Sequence, residues 1–157
     1  MTTIESAAPP NLRHLAEVES PGLAALRRRF AAGPPVAVAD LLGMRPIIVE
    51  HGTVTFACAA DPRFANPMGT VHGGIIATLL DSALGCAVQT VLEEGVGYTT
   101  LSLEVKYLRP VATDAGELRA TGTVVHAGRR QATAEARLTD AAGRVLATAT
   151  TTCLVLS

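Results

Sequence analysis

Tryptophan is absent from this chain, and with two tyrosines and three phenylalanines the aromatic share is only 3%. A core must then be filled by Val, Leu, Ile and Ala, and the abundant Ala and Gly suit a helix packed tightly on a sheet. Charge is sparse as well, at 17% of residues, with a net charge of −1 at pH 7 and a pI near 6.4. No basic field exists to hold a nucleic-acid backbone or an anionic membrane surface, which sets both aside as partners. The cysteines Cys58, Cys86 and Cys153 are odd in number and widely spaced, with neither a CxxC pair nor histidines at zinc-finger intervals. They read as reduced structural thiols, with no metal site expected. The opening residues lack a basic start followed by an apolar run, and no charge-free stretch reaches membrane-spanning length. A cytoplasmic protein is the expectation.

What is present, 157 residues of which 48% are hydrophobic, is enough for one compact domain with a real core. Residues 1 to about 20 read as a loosely docked tail. Pro21 to Ala32, PGLAALRRRFAA, predicts a short amphipathic helix with Leu23, Leu26 and Phe30 on one side and Arg27 to Arg29 toward water. Gly33-Pro34-Pro35 breaks it, and Val36 to Leu42 makes one more helical turn. Residues 1–40 thus form an extension ahead of a single domain at 41–157.

Arg45 onward alternates around His51-Gly52, a β-hairpin pattern, and Asp61-PRFANP is a loop by its prolines. From Gly74 to about Leu92 apolar residues recur at three- and four-residue intervals round most of a helix, which must therefore be buried. Four alternating runs follow, starting at Thr99, Gly116, Arg130 and Arg144, with turns near Pro110, Gly128 and Gly143. An antiparallel meander is expected, giving an α+β fold with one long helix along the concave face of a curved antiparallel sheet.

Asp81 is the one charged residue of the helical stretch between His72 and Glu93. Beside Leu79, Leu80, Ala83 and Leu84, a carboxylate is costly to bury unless paired, protonated or facing a cleft. It either sits in a cleft or points outward on a narrow polar edge with Thr78 and Ser82. His72-Gly73-Gly74 places two glycines where the first helical turn has unpaired N–H groups at the positive end of the dipole. These can hold an oxyanion, or the glycines simply permit a tight turn. His72 and Asn66 can orient a carbonyl or a water, or serve as capping and turn residues.

Asn66-Pro-Met-Gly69, Val71-His72-Gly73-Gly74, Leu79-Leu80-Asp81, Thr99-Thr100 and Tyr107-Leu-Arg109-Pro110 together resemble the phenylacetate-pathway (PaaI) branch of the hotdog-fold acyl-CoA thioesterases, over roughly Leu41 to Leu154. The spacing N-x-x-G-x-x-H-G-G-x6-D carries the resemblance more specifically than any single element. It implies hydrolysis of an acyl-CoA without cofactor or metal, in a homodimer or homotetramer with sites between subunits. Asp81 would be general base or nucleophile, Gly73 N–H would polarise the thioester oxygen, His72 would order that loop, and Asn66 would place water or carbonyl. Thr100 and Thr99 are rival hydroxyl partners of the acid. Gly74 belongs to the substrate-binding turn, and the Gly128-Arg129-Arg130 turn resembles a loop touching coenzyme A phosphates. Arg109 is a further substrate-binding candidate, with pairing to a neighbouring acid as its structural alternative.

Two departures matter. Some relatives carry a hydroxyl one turn beyond the acid, where this chain has Gly85, and the hydratase pattern sets a histidine five residues after its Asp, where this chain has Cys86. Hydration or dehydration of an acyl thioester is disfavoured accordingly. A non-catalytic acyl-CoA sensor is the alternative from another class. Cys86 reads as core rather than nucleophile.

Overall fold

The computed structural model describes residues 19–33 and 37–156. The tail expected at 1–20 lies almost wholly outside them, as do Pro34, Pro35 and Val36. Helices α1 (Pro21–Ala31) and α2 (Ala37–Leu42) precede a hairpin of β1 (Arg45–Glu50) and β2 (Thr53–Ala59). A short 3-10 turn, Pro62–Phe64, leads to the long helix α3 (Gly73–Gln89), and β3 (Gly97–Tyr107), β4 (Glu117–Ala127), β5 (Gln131–Thr139) and β6 (Val145–Leu156) complete the chain.

All six strands form one antiparallel sheet in the order β1-β2-β4-β5-β6-β3. This corrects the expected four-strand meander: β4, β5 and β6 are consecutive neighbours, but β3 pairs with β6 at the far edge. The reason is α3, which leaves β2 and carries the chain across the sheet before β3 begins. The helix packs on β2, β3, β4, β5 and β6, most extensively on β4.

Leu79, Leu80, Ala83, Leu84, Ala87 and Val88 of α3 are buried against a sheet face rich in alanine, including Ala120, Ala132, Ala134 and Ala136. Gly122 on β4 makes the closest approach possible: a Cβ there would lie 2.5 Å from the carbonyl of Ala83. Small residues thus let helix and sheet backbones meet, the packing expected of a core with few aromatics.

Helix α1 starts at Pro21 with Ser20 as N-cap, its side chain accepting from Leu23 N–H. It docks on the end of α3 through Gly22 N–H, which donates to the Leu92 carbonyl at 3.0 Å, and through the Ser20 hydroxyl, which donates to the Thr90 carbonyl. Among the described residues no helix is long and apolar enough to cross a membrane.

Candidate active site

The loop before α3 is held by its own polar groups. Asn66 Oδ1 accepts from Met68 N–H at 2.9 Å and Thr70 N–H at 3.2 Å, while Nδ2 donates to the Thr70 hydroxyl at 3.0 Å. Gly69, at φ 80°, closes this turn. Asn66 therefore spends most of its hydrogen-bonding capacity locally, and one amide hydrogen remains for a substrate or water.

His72 is the N-cap of α3, and its Nδ1 accepts from Gly74 N–H at 2.9 Å. That bond fixes the tautomer with the proton on Nε2, which faces outward. Ile75 and Ile76 N–H both donate to the His72 carbonyl. Gly73 N–H alone in this first turn has no partner among the described residues, so the dipole's positive end presents one free donor. Each glycine also yields space: a Cβ on Gly73 would lie 3.2 Å from the Tyr107 ring, and one on Gly74 would lie 3.1 Å from His72 Nδ1.

Asp81 lies on the half-buried side of α3 and lines a cavity of about 680 Å³ together with Ser82, Cys86, Gln89 and Tyr98. The Thr100 hydroxyl donates to Asp81 Oδ1 at 3.1 Å. Thr99 is exposed and, one residue away on a strand, projects from the opposite face. The cavity's remaining walls come from α1, α2 and the hairpin, including Leu26, Phe30 and Phe56. Arg29, expected to face water, is exposed and also lines this cavity. Burial, with the Asp81 charge adding to it, pushes the Cys86 thiol up to about 12, so it stays protonated and is no nucleophile.

Strand β3 runs along α3 and sets three hydroxyls against it. Tyr98 meets Gly85, Thr100 meets Asp81, and the Tyr107 hydroxyl donates to the Gly73 carbonyl at 2.9 Å. Residues 98 and 100 share a face by parity, but 107 joins them only because a bulge falls between Thr100 and Ser102. Sequence reasoning missed Tyr98 and the walls contributed by α1, since neither contact is local and no pattern marks it.

Asn66, Gly73, Tyr107 and Arg109 line a separate cleft of about 300 Å³. Arg109 Nη1 donates to the Val145 carbonyl at 2.5 Å, so the guanidinium is fixed by backbone rather than by an acid. Gly73 and Asp81 are eight residues apart on one helix, about 12 Å along its axis. One chain therefore separates the free Gly73 N–H from the Asp81 carboxylate. The tip Gly128-Arg129-Arg130 has both arginines exposed and, among the described residues, outside any ion pair. Val155 N–H donates to the Arg130 carbonyl and Val155 pairs with Tyr98, which sets the tip at the end of the sheet where β3 begins.

Comparison with known proteins bears on the fold and the family. Residues 68–147 match the thioesterase superfamily. A solved phenylacetic acid degradation-related protein of Ralstonia eutropha JMP134, provisionally named a thioesterase, is 31% identical, with 84% of this chain and 98% of that one covered at a TM-score of 0.74. The Escherichia coli PaaI protein of the phenylacetic acid degradation operon shares the fold at a TM-score of 0.78 and 19% identity, with 89% of this chain and 97% of that one covered. A Halobacterium salinarum protein provisionally named an esterase is 45% identical over 69 residues, 43% of this chain and 44% of its own length. The match thus spans less than half of that curated relative. With the family pattern covering half of the chain and long-range likeness over most of it, this protein belongs to the hotdog-fold thioesterase superfamily.

Proposed function

We propose that the protein hydrolyses an acyl-CoA thioester to a carboxylic acid and coenzyme A, in a site built from two copies of the chain. The observation that carries this reading is Asp81, a lone carboxylate on an otherwise uncharged helix, gripped by the Thr100 hydroxyl at the edge of a cavity. One carboxylate oxygen is occupied by Thr100. The other is available to take a proton from water or to attack the thioester carbon itself.

A thioester carbonyl is electrophilic enough for this, given a donor for its oxygen. Gly73 N–H is the free donor, but an oxyanion bond needs about 3 Å and Gly73 of the same chain stands about 12 Å along the helix from Asp81. Asp81 therefore works on a carbonyl held at Gly73 of a partner subunit. His72 Nε2 and the spare Asn66 hydrogen flank that donor. Arg129 and Arg130 are the cations for the coenzyme A phosphates, and the cavity beside Asp81 takes the acyl group.

The test is release of free coenzyme A from short, medium, long and aryl acyl-CoAs, with Asp81→Asn alongside. Turnover should fall by about 100-fold or more in the variant. Equal rates for variant and wild type, or no turnover of any thioester, would overturn the reading; tight binding without turnover would mark an acyl-CoA sensor.

A further inference from the structure

Gly85 sits one helical turn beyond Asp81, and the space its side chain would occupy is filled by Tyr98. A Cβ there would overlap the Tyr98 hydroxyl and lie 2.7 Å from two of its ring carbons. The ring is delivered by β3 from the same strand face as Thr100. Strand spacing between residues 98 and 100, about 6.8 Å, nearly equals the spacing of about 6 Å between positions 81 and 85 on the helix. The strand therefore sets one hydroxyl on the carboxylate and a second one turn away.

These two hydroxyls are used differently. Thr100 donates to Asp81, whereas the Tyr98 hydroxyl has no hydrogen-bond partner among the described residues and lines the same cavity as Asp81. A half-buried phenol in that position has a donor to spare. Cβ positions one turn apart on a helix lie about 5–6 Å from each other, and the Tyr98 hydroxyl stands where the Cβ of residue 85 would be, which leaves room for one water, with bonds of about 2.8 Å, between it and the Asp81 carboxylate.

We infer that the Tyr98 hydroxyl holds the attacking water against Asp81, making Tyr98 a water-positioning residue of the hydrolysis, with Gly85 conserving the room its ring needs in this fold. The inference rests on the thioesterase reading and narrows it to attack by water. The water donates one hydrogen to the free Asp81 oxygen and accepts from Tyr98, leaving a lone pair for the thioester carbon. As the C–O bond forms, the proton passes to Asp81. Collapse of the tetrahedral adduct breaks the C–S bond, and the departing sulfur takes that proton. Tyr98 transfers none. Burial and the neighbouring Asp81 charge raise its phenol well above the ordinary range, so it remains a donor at working pH.

Tyr98→Phe removes one oxygen and keeps the ring. Its kcat for the best acyl-CoA should fall about tenfold or more, with KM changed less than about threefold. In an Asp81→Asn background the same change should leave the Kd of that acyl-CoA unaltered. A second pair of variants guards against a purely structural effect. Gly85→Ser alone should lower the melting temperature through collision with the ring. Combined with Tyr98→Ala, the serine should fold normally and recover part of the kcat lost by Tyr98→Ala alone. Asp81-dependent turnover that survives Tyr98→Phe unchanged overturns the role of Tyr98 and leaves the thioesterase reading standing. Loss expressed in KM or Kd with kcat intact assigns the hydroxyl to the acyl group and also overturns it. Absence of Asp81-dependent turnover in the wild type overturns both.

Discussion

Asn66, His72, Thr100 and Tyr107 each have a partner that fixes what they can still do. Thr100 shows this most directly: its hydroxyl occupies one oxygen of Asp81, a residue that lines the cavity, and leaves the other for chemistry. Thr100→Val keeps the β-branched shape and deletes that bond, so kcat should drop about 10- to 100-fold while the melting temperature stays within a few degrees, measured by steady-state kinetics and thermal scanning. Cys86 supports a different prediction, about pH. Its thiol is raised from 9.0 to about 12 by burial, so between those values the unfolded chain has lost a proton that the folded chain keeps. Stability contributed by this group is complete below pH 9 and declines as pH rises toward 12, by about 1.4 kcal/mol per pH unit. Urea titrations at pH 9 and 10.5 should show a shallower loss in Cys86→Ala than in the wild type; parallel curves would mean that the thiol ionises in the folded state.

At the level of elements, the sequence made some of this site legible and concealed the rest. The period change at Gly74 marks α3, and the lone acid on it marks Asp81, because both signals are local. His72-Gly73-Gly74 could be read as a helix start for the same reason. The choice between Thr99 and Thr100 could not be read, because it depends on which face of β3 meets the helix, and the bulge at Thr100/Ser102 switches that parity midway. The far-edge position of β3 was hidden too, since alternation specifies a strand but not its neighbour. Nor does an amphipathic pattern say that α1 will wall the cavity near Asp81. That docking hinges on Gly22, where a Cβ would collide with the carbonyl oxygens of Gln89 and Leu92. Gly22→Ala should therefore cost about 1–3 kcal/mol in urea unfolding. With α1 displaced, KM should rise more for a long acyl-CoA than for acetyl-CoA; an equal rise for both would remove α1 from the acyl wall.

For the whole molecule, the thioesterase reading turns the spacing of Gly73 and Asp81 along α3 into a requirement on assembly. Gly73 N–H is free, Asp81 is gripped by Thr100, and about 12 Å of helix stands between them, so one thioester cannot reach both on one chain. Strand β3 is a sheet edge, and Leu101, Tyr107 and Leu108 on and after it are exposed, a surface suited to a second copy in a two-fold arrangement. On the proposed reading, two such copies would form two sites, each taking Asp81 from one chain and Gly73 from the other. Gly73→Pro deletes the donor at the first helical position, which suits the proline backbone once the Tyr107 ring yields to the added Cβ, and Asp81→Asn deletes the acid. Each homodimer should be nearly inactive. After the two are unfolded together and refolded, half of the dimers should be mixed, with one intact site of two, restoring roughly a quarter of wild-type turnover. If both residues acted within one chain, every site in every combination would lack one of them, and the mixture would stay as inactive as its parents.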